Sequence, residues 1–142
     1  MNSKSIIIDS SVAAKWYLSD EYDDIAIKIK SDFEIKIISI KVPMLFFYEV
    51  SNILRTTSKQ LRIDRDICIN AYQNLLDLDF TTYFSKELYK AALEMALHLD
   101  ITAYDSAYVT LAGSLQIPLY TADEKLVRKA KNPFVKSLKD YI

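Results

Sequence analysis

The chain has 142 residues, and its 18 basic and 19 acidic side chains give a formal net charge of −1, so any affinity for nucleic acid must come from a local patch. A single glycine excludes the glycine-rich loops that hold phosphates in nucleotide-binding folds. One histidine and one cysteine cannot assemble an ordinary four-ligand zinc site. Any metal chemistry must therefore use carboxylates.

The length is typical of one compact domain, and we expect residues 1–142 to form a single one. The lone cysteine, Cys68, cannot close an internal disulfide, and no amino-terminal stretch has the pattern of a secretion signal. No apolar run approaches the ~20 residues of a membrane span. These patterns predict a cytoplasmic protein without a membrane anchor.

The first half of the chain alternates strand and helix patterns. Residues 6–8 form an apolar β-branched run, which predicts a buried strand ending at Asp9. A helix is predicted from Ser10 or Ser11 to Trp16, another over about residues 23–30, and a strand over residues 35–42. Pro43 is suited to begin a third helix, which carries Glu49, Arg55 and an apolar face made of Leu45, Phe46, Val50, Ile53 and Leu54.

The second half continues the alternation. A helix over residues 65–76 with Asp64 as its cap, a strand over 80–83 and a helix over 86–99 are predicted in turn. The next helix begins at Thr102 or Ala103, carries Asp105 and is predicted to stop at Gly113. A strand over residues 118–121, a helix beginning at Asp123 and a short edge strand at residues 134–135 complete the pattern. Such alternation predicts an α/β fold with a mainly parallel sheet covered by helices.

Four acidic residues differ from the rest by their apolar surroundings. Most acids lie in polar company, as in residues 19–24, and are interpreted as solvated surface. Asp9, Glu49, Asp105 and Asp123 instead adjoin apolar sequence, and three of them fall where a strand ends or a helix begins. The carboxyl ends of parallel strands meet at one edge of a sheet, where ligands bind.

Carboxylates held close together repel one another unless a cation neutralises them, and hard oxygen ligands suit Mg²⁺ or Mn²⁺. Such a site can activate water and stabilise the charge that develops when a phosphodiester breaks. The four acids therefore predict a metal-dependent nuclease.

The residues around the four acids resemble the motifs of a known family, the PIN domain, and within it the VapC-type toxin ribonucleases. Ile-Ile-Ile-Asp9-Ser-Ser is similar to the first motif, and Phe-Phe-Tyr-Glu49-Val-Ser-Asn to the second. Thr-Ala-Tyr-Asp105-Ser-Ala-Tyr is similar to the third, and Tyr-Thr121-Ala-Asp123-Glu-Lys to the fourth. Each motif alone is weak, but the four occur in the family's order and on the expected elements.

The resemblance implies a three-layer α/β/α sandwich with a central parallel sheet and a Mg²⁺ or Mn²⁺ ion held by the four carboxylates. It implies an endoribonuclease that hydrolyses RNA, acting as the toxin of a toxin–antitoxin pair, with a small antitoxin protein as partner and a homodimer as the assembly. The alternatives are a housekeeping RNA-processing nuclease and a PIN-like module that binds RNA or protein without cutting. A small neighbouring gene with a DNA-binding amino terminus would favour the toxin.

Each site residue also has a simpler interpretation. Asp9 and Asp105 are expected to ligate metal directly, and Glu49 either to ligate metal or to orient the attacking water. Asp123 would ligate a second metal, hold a metal-bound water, or only cap the helix that follows it. Ser11 and Thr121 are expected to hydrogen-bond the acids, with capping as the equal alternative.

Further polar and aromatic residues have no required role. Charges on exposed helix faces need no ligand, so phosphate contacts by Lys15, Arg55, Lys125 and Arg128 stay optional. Tyr48, Tyr104 and Tyr108 lie in apolar helical patterns and are predicted to be core. His98 and Cys68 are assigned to packing or surface.

Two other acidic-pocket folds fail on particular residues. A receiver domain needs paired acids after its first strand, and only Asp9 stands there. A haloacid-dehalogenase phosphatase needs a second aspartate two residues after the first, where this chain has Ser11.

Overall fold

The computed structural model describes residues 4–18 and 23–142. In these ranges the helices and strands alternate along the chain, as the sequence predicts. The strands are β1 (Lys4–Ile8), β2 (Ile38–Pro43), β3 (Thr81–Tyr83), β4 (Leu119–Thr121) and β5 (Val135–Ser137). The helices are α1 (Ser10–Ala14), α2 (Asp24–Glu34), α3 (Leu45–Leu61), α4 (Arg65–Leu76), α5 (Lys86–Leu99), α6 (Ala103–Leu115) and α7 (Glu124–Ala130), and a 3₁₀ turn covers Leu138–Asp140.

The strands form one five-stranded sheet in the order β3-β2-β1-β4-β5, and every neighbouring pair is parallel. The chain moves from β1 outward to β3, then crosses back to β4 and continues to β5. Because parallel crossovers are right-handed, the two directions place α1–α4 and α5–α7 on opposite faces of the sheet. The predicted three-layer α/β/α architecture is confirmed.

The central strand explains why the sheet forms where it does. Ile6, Ile7 and Ile8 have no exposed surface, as expected for a strand covered by helices on both faces. In the sheet Ile8 pairs with Tyr120 of β4, and the strand order reverses at this β1–β4 boundary. A crevice at the carboxyl ends of strands on either side of such a reversal is where ligands bind in open α/β sheets.

An aromatic cluster anchors the helices beside that edge. The Phe80 ring lies 4.9 to 6.3 Å, between centroids, from the rings of Trp16, Phe33, Phe46 and Phe47. The Trp16 indole also donates to the Ala26 carbonyl at 2.8 Å. This packing fixes α1 and α3, which carry the residues around Asp9 and Glu49.

The sequence predicts the second strand over residues 35–42, whereas β2 covers Ile38–Pro43. Ile35 and Ile37 are exposed, α2 runs to Glu34, and Lys36 adopts a left-handed φ of 65° that breaks the chain direction before β2. Their β-branched side chains matched a strand, but burial begins only at Ile38. Pro43 is the last residue of β2 and does not begin α3. Proline has no amide donor but keeps its carbonyl acceptor, so it can occupy the end of a strand.

The predicted stop of α6 at Gly113 is wrong. The helix continues to Leu115, and the left-handed residue after it is Gln116, with φ 56°. Four other non-glycine residues also adopt positive φ, so this chain ends its helices without using its one glycine. The acidic run predicted to be solvated falls mostly at residues 19–22, which lie outside the described residues.

Two of the three tyrosines predicted to be core are on the surface. Tyr108 is 1% exposed, but Tyr48 is 77% and Tyr104 66% exposed. Tyr48 lies midway between the buried Phe46 and Val50 and so faces away from their side of α3, and Tyr104 lies in the first turn of α6, before its buried stretch begins at Ser106. Within the described ranges, no helix combines the length and apolar character needed to cross a membrane.

Candidate active site

Asp9 occupies the carboxyl end of the central strand and is almost fully buried. Its Oδ1 accepts hydrogen bonds from the Ser11 hydroxyl (2.5 Å) and the Ser11 amide (3.1 Å), and its Oδ2 accepts one from the Thr121 hydroxyl. The carboxylate also caps the first turn of α1. Ser11 and Thr121 therefore contact Asp9, as the sequence analysis expected of hydroxyls beside the acids.

Asp9 is surrounded by neutral donors, and no cation of the described residues pairs with it. Burial raises the pKa of the Asp9 carboxyl to about 6, against the lowering effect of the Ser11 and Thr121 hydrogen bonds, and the charge of Asp105 raises it further. The other buried acid, Asp32, accepts hydrogen bonds from Lys28 (2.8 Å) and the Tyr141 hydroxyl (2.7 Å), which lower its pKa. Asp32 is therefore a neutralised structural charge, whereas Asp9 is not.

Glu49 lies on the first turns of α3 and reaches the same edge of the sheet. Its Oε1 accepts a hydrogen bond from the Tyr108 hydroxyl at 2.6 Å and a longer one from the Ser10 hydroxyl at 3.4 Å. Burial raises the pKa of the Glu49 carboxyl, and the charge of Asp105 adds to the rise. The side chain is half-buried, so the alternative of a solvated helix glutamate does not describe it.

Asp105 lies in the first turn of α6, which Thr102 caps by accepting from the Asp105 amide at 3.0 Å. Because α6 runs back toward the amino ends of the strands, its first turn stands at their carboxyl edge. The pKa of the Asp105 carboxyl is raised by partial burial and then by the charge of Asp123. The capping function at this helix end belongs to Thr102, so Asp105 is not needed for it.

Asp123 is the most exposed of the four acids and has a clear local role. Its Oδ1 accepts from the amides of Lys125 (3.0 Å) and Leu126 (3.1 Å), which makes it the cap of α7. The Asp123 amide donates to the Thr121 hydroxyl at 3.0 Å, and that hydroxyl donates to Asp9. One threonine thus connects the two acids that follow β1 and β4.

The four carboxylates form an electrostatic series with Asp105 at its centre. Asp105 raises the pKa values of both Asp9 and Glu49, and Asp123 raises that of Asp105. None of the four forms an ion pair with any described residue. The fold therefore brings residues from β1, α3, α6 and the end of β4 to one edge of the sheet.

The donor set suits a hard cation, but the carboxylates do not already enclose one. Among the described residues, no three acidic, histidine or cysteine side chains are close enough to form a ready-made metal site. Carboxylates without a cation repel one another, and both oxygens of Asp9 already accept hydrogen bonds from hydroxyl groups. The oxygen-only ligands and the uncompensated buried charge fit Mg²⁺ or Mn²⁺ better than a softer metal.

Sequence reasoning missed two side chains that contact the site. Tyr108, assigned only to the core, holds Glu49, and Ser10 gives it a second donor. Tyr108 follows Asp105 by three residues and so shares its helix face, a spacing that could have suggested the contact.

The basic residues proposed for phosphate contacts lie on two sides of the acids. Lys15 pairs with Asp23 at 2.7 Å, and Arg55 is exposed on α3. Lys125 shares a cavity with Asp105 and Asp123, and Arg128 lines the cavity beside it. Cys68 is half-buried, with its thiol 3.8 Å from the Leu54 carbonyl, and His98 is exposed on α5, so neither reaches the carboxylates.

Comparison with known proteins identifies the same family and fold. A sequence profile of the PIN domain matches residues 6–132. The curated protein Ribonuclease VapC3 of Pyrobaculum aerophilum is 27% identical over 126 residues, which cover 87% of this chain and 93% of that protein.

Solved structures also resemble this chain over nearly its whole length. The crystal structure of PAE2754 from Pyrobaculum aerophilum superposes with a TM-score of 0.73 at 18% identity, covering 98% of this chain and 92% of that one. A chain in the structure of FitAB bound to an IR36 DNA fragment superposes with a TM-score of 0.58 at 10% identity, covering 94% of each. At these identities the structural likeness establishes the fold alone.

Asp105→Asn is expected to leave the metal-free protein at least as stable as wild type. The substitution removes the central charge of the series, and asparagine keeps an oxygen that Thr102 can reach. A carboxyl whose pKa is raised by folding binds more protons in the folded protein than in the unfolded chain. The unfolding free energy of wild type therefore falls as pH rises, and the contribution of Asp9 is lost between about pH 4 and 6. Urea unfolding in EDTA at pH 5 and 7.5 should give a smaller fall for the variant.

With metal bound, wild type should become more stable than Asp105→Asn. A cation at ~100 times its Kd stabilises the folded chain by about 2.7 kcal/mol, and the variant should gain far less. A variant that unfolds more easily than wild type in EDTA yet keeps the full Mn²⁺-induced gain would show that Asp105 is structural.

Proposed function

This chain belongs to the PIN domain family, and we propose that it is a divalent-metal-dependent endoribonuclease that hydrolyses RNA phosphodiesters. The observation that carries the proposal is the buried Asp9 carboxylate, which has hydroxyl donors but no cationic partner in residues 4–18 and 23–142 and whose pKa is raised by the charge of Asp105. A charge that is buried and unneutralised is costly, and the cost falls when a cation binds. The four acids otherwise serve no common structural purpose.

Asp9 and Asp105 would hold the ion, with Glu49 as a further ligand or as the group that orients the attacking water. Asp123 would hold a second ion or a water bound to it, in addition to capping α7. A bound Mg²⁺ or Mn²⁺ would supply a Lewis acid that lowers the pKa of water and neutralises charge on the phosphate. Ser11 and Thr121 fix the Asp9 oxygens, and Tyr108 fixes one oxygen of Glu49.

The reaction adds water across a P–O bond. The water oxygen bonds to phosphorus, the bond to the 3′ oxygen breaks, and one water proton is transferred to that departing oxygen while the other goes to a general base. Glu49 would accept that proton, and its raised pKa supports this role because it lies nearer to working pH than that of an ordinary glutamate. The expected products have 5′-phosphate and 3′-hydroxyl ends.

The toxin assignment rests on a relative. The similar protein from Pyrobaculum aerophilum is named Ribonuclease VapC3, and we infer that this chain is likewise the toxin of a toxin–antitoxin pair working in the cytoplasm. A small antitoxin would then be encoded in the neighbouring reading frame. A housekeeping nuclease would have no such neighbour, and a binding module would fail to cleave.

Purified protein is expected to cleave single-stranded RNA with Mg²⁺ or Mn²⁺ and to stop when EDTA is added. Asp9→Asn and Asp105→Asn should each reduce the rate by at least ~100-fold, since each removes a proposed ligand. Asp66→Asn is the matched control, because Asp66 is an exposed aspartate on α4. Cleavage that persists in EDTA, or an equal loss in all three variants, would contradict the proposal.

Tyr108→Phe should weaken metal binding indirectly, because Tyr108 contacts the proposed ligand Glu49. Loss of the 2.6 Å hydrogen bond leaves the Glu49 carboxylate without its closer donor. We expect the Mn²⁺ concentration for half-maximal activity to rise roughly 10-fold or more, the usual effect of removing a group that orients a ligand. Tyr104→Phe changes an exposed tyrosine of the same helix and should leave the Mn²⁺ titration unchanged. Equal titrations for both variants would show that Tyr108 only packs.

A homodimer is proposed through α5, whose exposed face has an apolar stripe. Tyr89, Leu93 and Leu97 recur every four residues, and Leu97 is 76% exposed. Light scattering should give twice the chain mass for wild type and one chain mass for Leu93→Asp/Leu97→Asp. Ile67→Asp on α4 replaces another exposed apolar residue and should leave the dimer intact. A monomeric wild type would contradict the proposal.

A further inference from the structure

The basic residues of α7 lie close together on one face of the helix. Lys125 and Lys129 are four residues apart, and Lys125 and Arg128 are three apart, so like charges lie on one helix face. Elsewhere the chain pairs opposite charges at the four-residue spacing, as in Lys28–Asp32, Lys30–Glu34 and Lys90–Glu94. Arg128 and Lys129 lie in the last turn of α7, where positive charge favours the helix dipole, but Lys125 lies in the first turn, where it does not.

These cations surround an open cavity between α7 and the end of α5. The cavity has a volume of about 730 Å³, and we call it the cation cavity. Its charged lining consists of Lys125, Arg128, Lys129, Lys131 and Asp100, with His98 at the wall. Four cations face one anion there. In the described part of the chain, none of the four cations forms an ion pair with an acidic side chain.

One hydrogen bond and the packing of α7 on the core position the walls of the cavity. The Lys129 ammonium donates to the Asp100 carbonyl at 3.1 Å, which ties the carboxyl end of α5 to α7. On its other face, α7 buries Leu126 and Ala130 in the core. Lys125, Arg128 and Lys129 are therefore held on a helix that packs against the core, and Lys131 follows directly after its end.

The cation cavity adjoins the carboxylates directly. A second cavity of about 460 Å³ contains Asp105 and Asp123, and both cavities include Asp100, Lys125 and Lys129 in their walls. Arg128 and Lys131 line only the cation cavity. A polyanion bound at the acids through metal would extend past Lys125 toward Arg128 and Lys131.

The opposite flank of the acids has a different character. On α1, Lys15 is engaged by Asp23 at 2.7 Å. On α3, the residue before Glu49 is Tyr48, which is exposed and uncharged. The opposite flank thus has the exposed Arg55 on α3 and the paired Lys15, whereas four cations line the cation cavity, although the whole chain has a net charge of −1.

We propose that the cation cavity is a subsite for the backbone phosphates of the RNA strand on one side of the bond that is cleaved. The inference rests on the proposed ribonuclease function and adds the direction in which the bound RNA strand extends away from the carboxylates. A phosphodiester offers the negative charge that the four cations lack, and the Arg128 guanidinium can bind two phosphate oxygens at once. Backbone contacts of this kind position a strand without reading its sequence.

The test compares two double variants that remove the same charge. Arg128→Gln/Lys131→Gln removes two cations that line the cation cavity but not the cavity of Asp105 and Asp123. Lys59→Gln/Arg62→Gln removes one lysine and one arginine that are exposed at the carboxyl end of α3. Binding of a fluorescein-labelled 12-nucleotide single-stranded RNA is measured by anisotropy in EDTA at several salt concentrations, so that the readout does not require cleavage.

The cavity variant should bind the RNA at least ~10-fold more weakly at low salt, and its plot of log K against log salt should lose about 0.7 of slope for each phosphate contact removed. The control should stay within about twofold of wild type. Equal weakening in both variants would mean that only net charge matters and would overturn the subsite.

Kinetics separate this inference from the proposed function. If wild type cleaves RNA, the cavity variant should have a raised KM with kcat unchanged, because the lost contacts hold substrate and transition state alike. A loss of kcat at constant KM would place Arg128 and Lys131 at the reacting phosphate and refute a flanking subsite. If wild type cleaves nothing with any divalent ion, the nuclease proposal fails, while the anisotropy comparison still tests the cavity.

Discussion

The site depends on one uncompensated charge at the end of the central strand. Asp9 is buried by the same sheet and helices that bury Ile6–Ile8, and its position is fixed by hydroxyls from α1 and β4. Those donors are neutral, so they orient the carboxylate without cancelling its charge. Asp32 shows the other solution, in which Lys28 supplies the missing cation. The two buried aspartates therefore differ in that Asp32 has a cationic partner and Asp9 has none among the described residues.

The remaining site residues are connected to Asp9 through pairs of elements that are distant in the chain. Thr121 links Asp9 to the backbone of Asp123, and Tyr108 on α6 holds Glu49 on α3. The sheet order places β1 beside β4, which brings these groups to one edge. Helix α7 then has two surfaces at that edge: its cap, Asp123, faces the acids, and its exposed side presents the cations of the cation cavity.

Much of the fold could be predicted from local patterns. The order of elements, the buried first strand and the caps Thr102 and Asp123 followed from periodicity and from residue types at helix starts. The errors occurred where the tertiary structure overrides those patterns. Ile35 and Ile37 look like strand residues but are exposed, and α6 passes Gly113 because its apolar side continues to pack beyond it. Local propensity cannot report which apolar residues find a partner.

The sequence by itself determined which acids to consider, because Asp9, Glu49, Asp105 and Asp123 interrupt apolar segments where an unpaired charge is costly. It also determined that any metal must bind through oxygen, since one histidine and one cysteine leave no other ligand set. Only the tertiary structure decided that Tyr108 holds Glu49 and that the α7 cations share walls with the acidic cavity. Those contacts join residues far apart in the chain, so they arise from strand order and helix packing, which no local pattern contains.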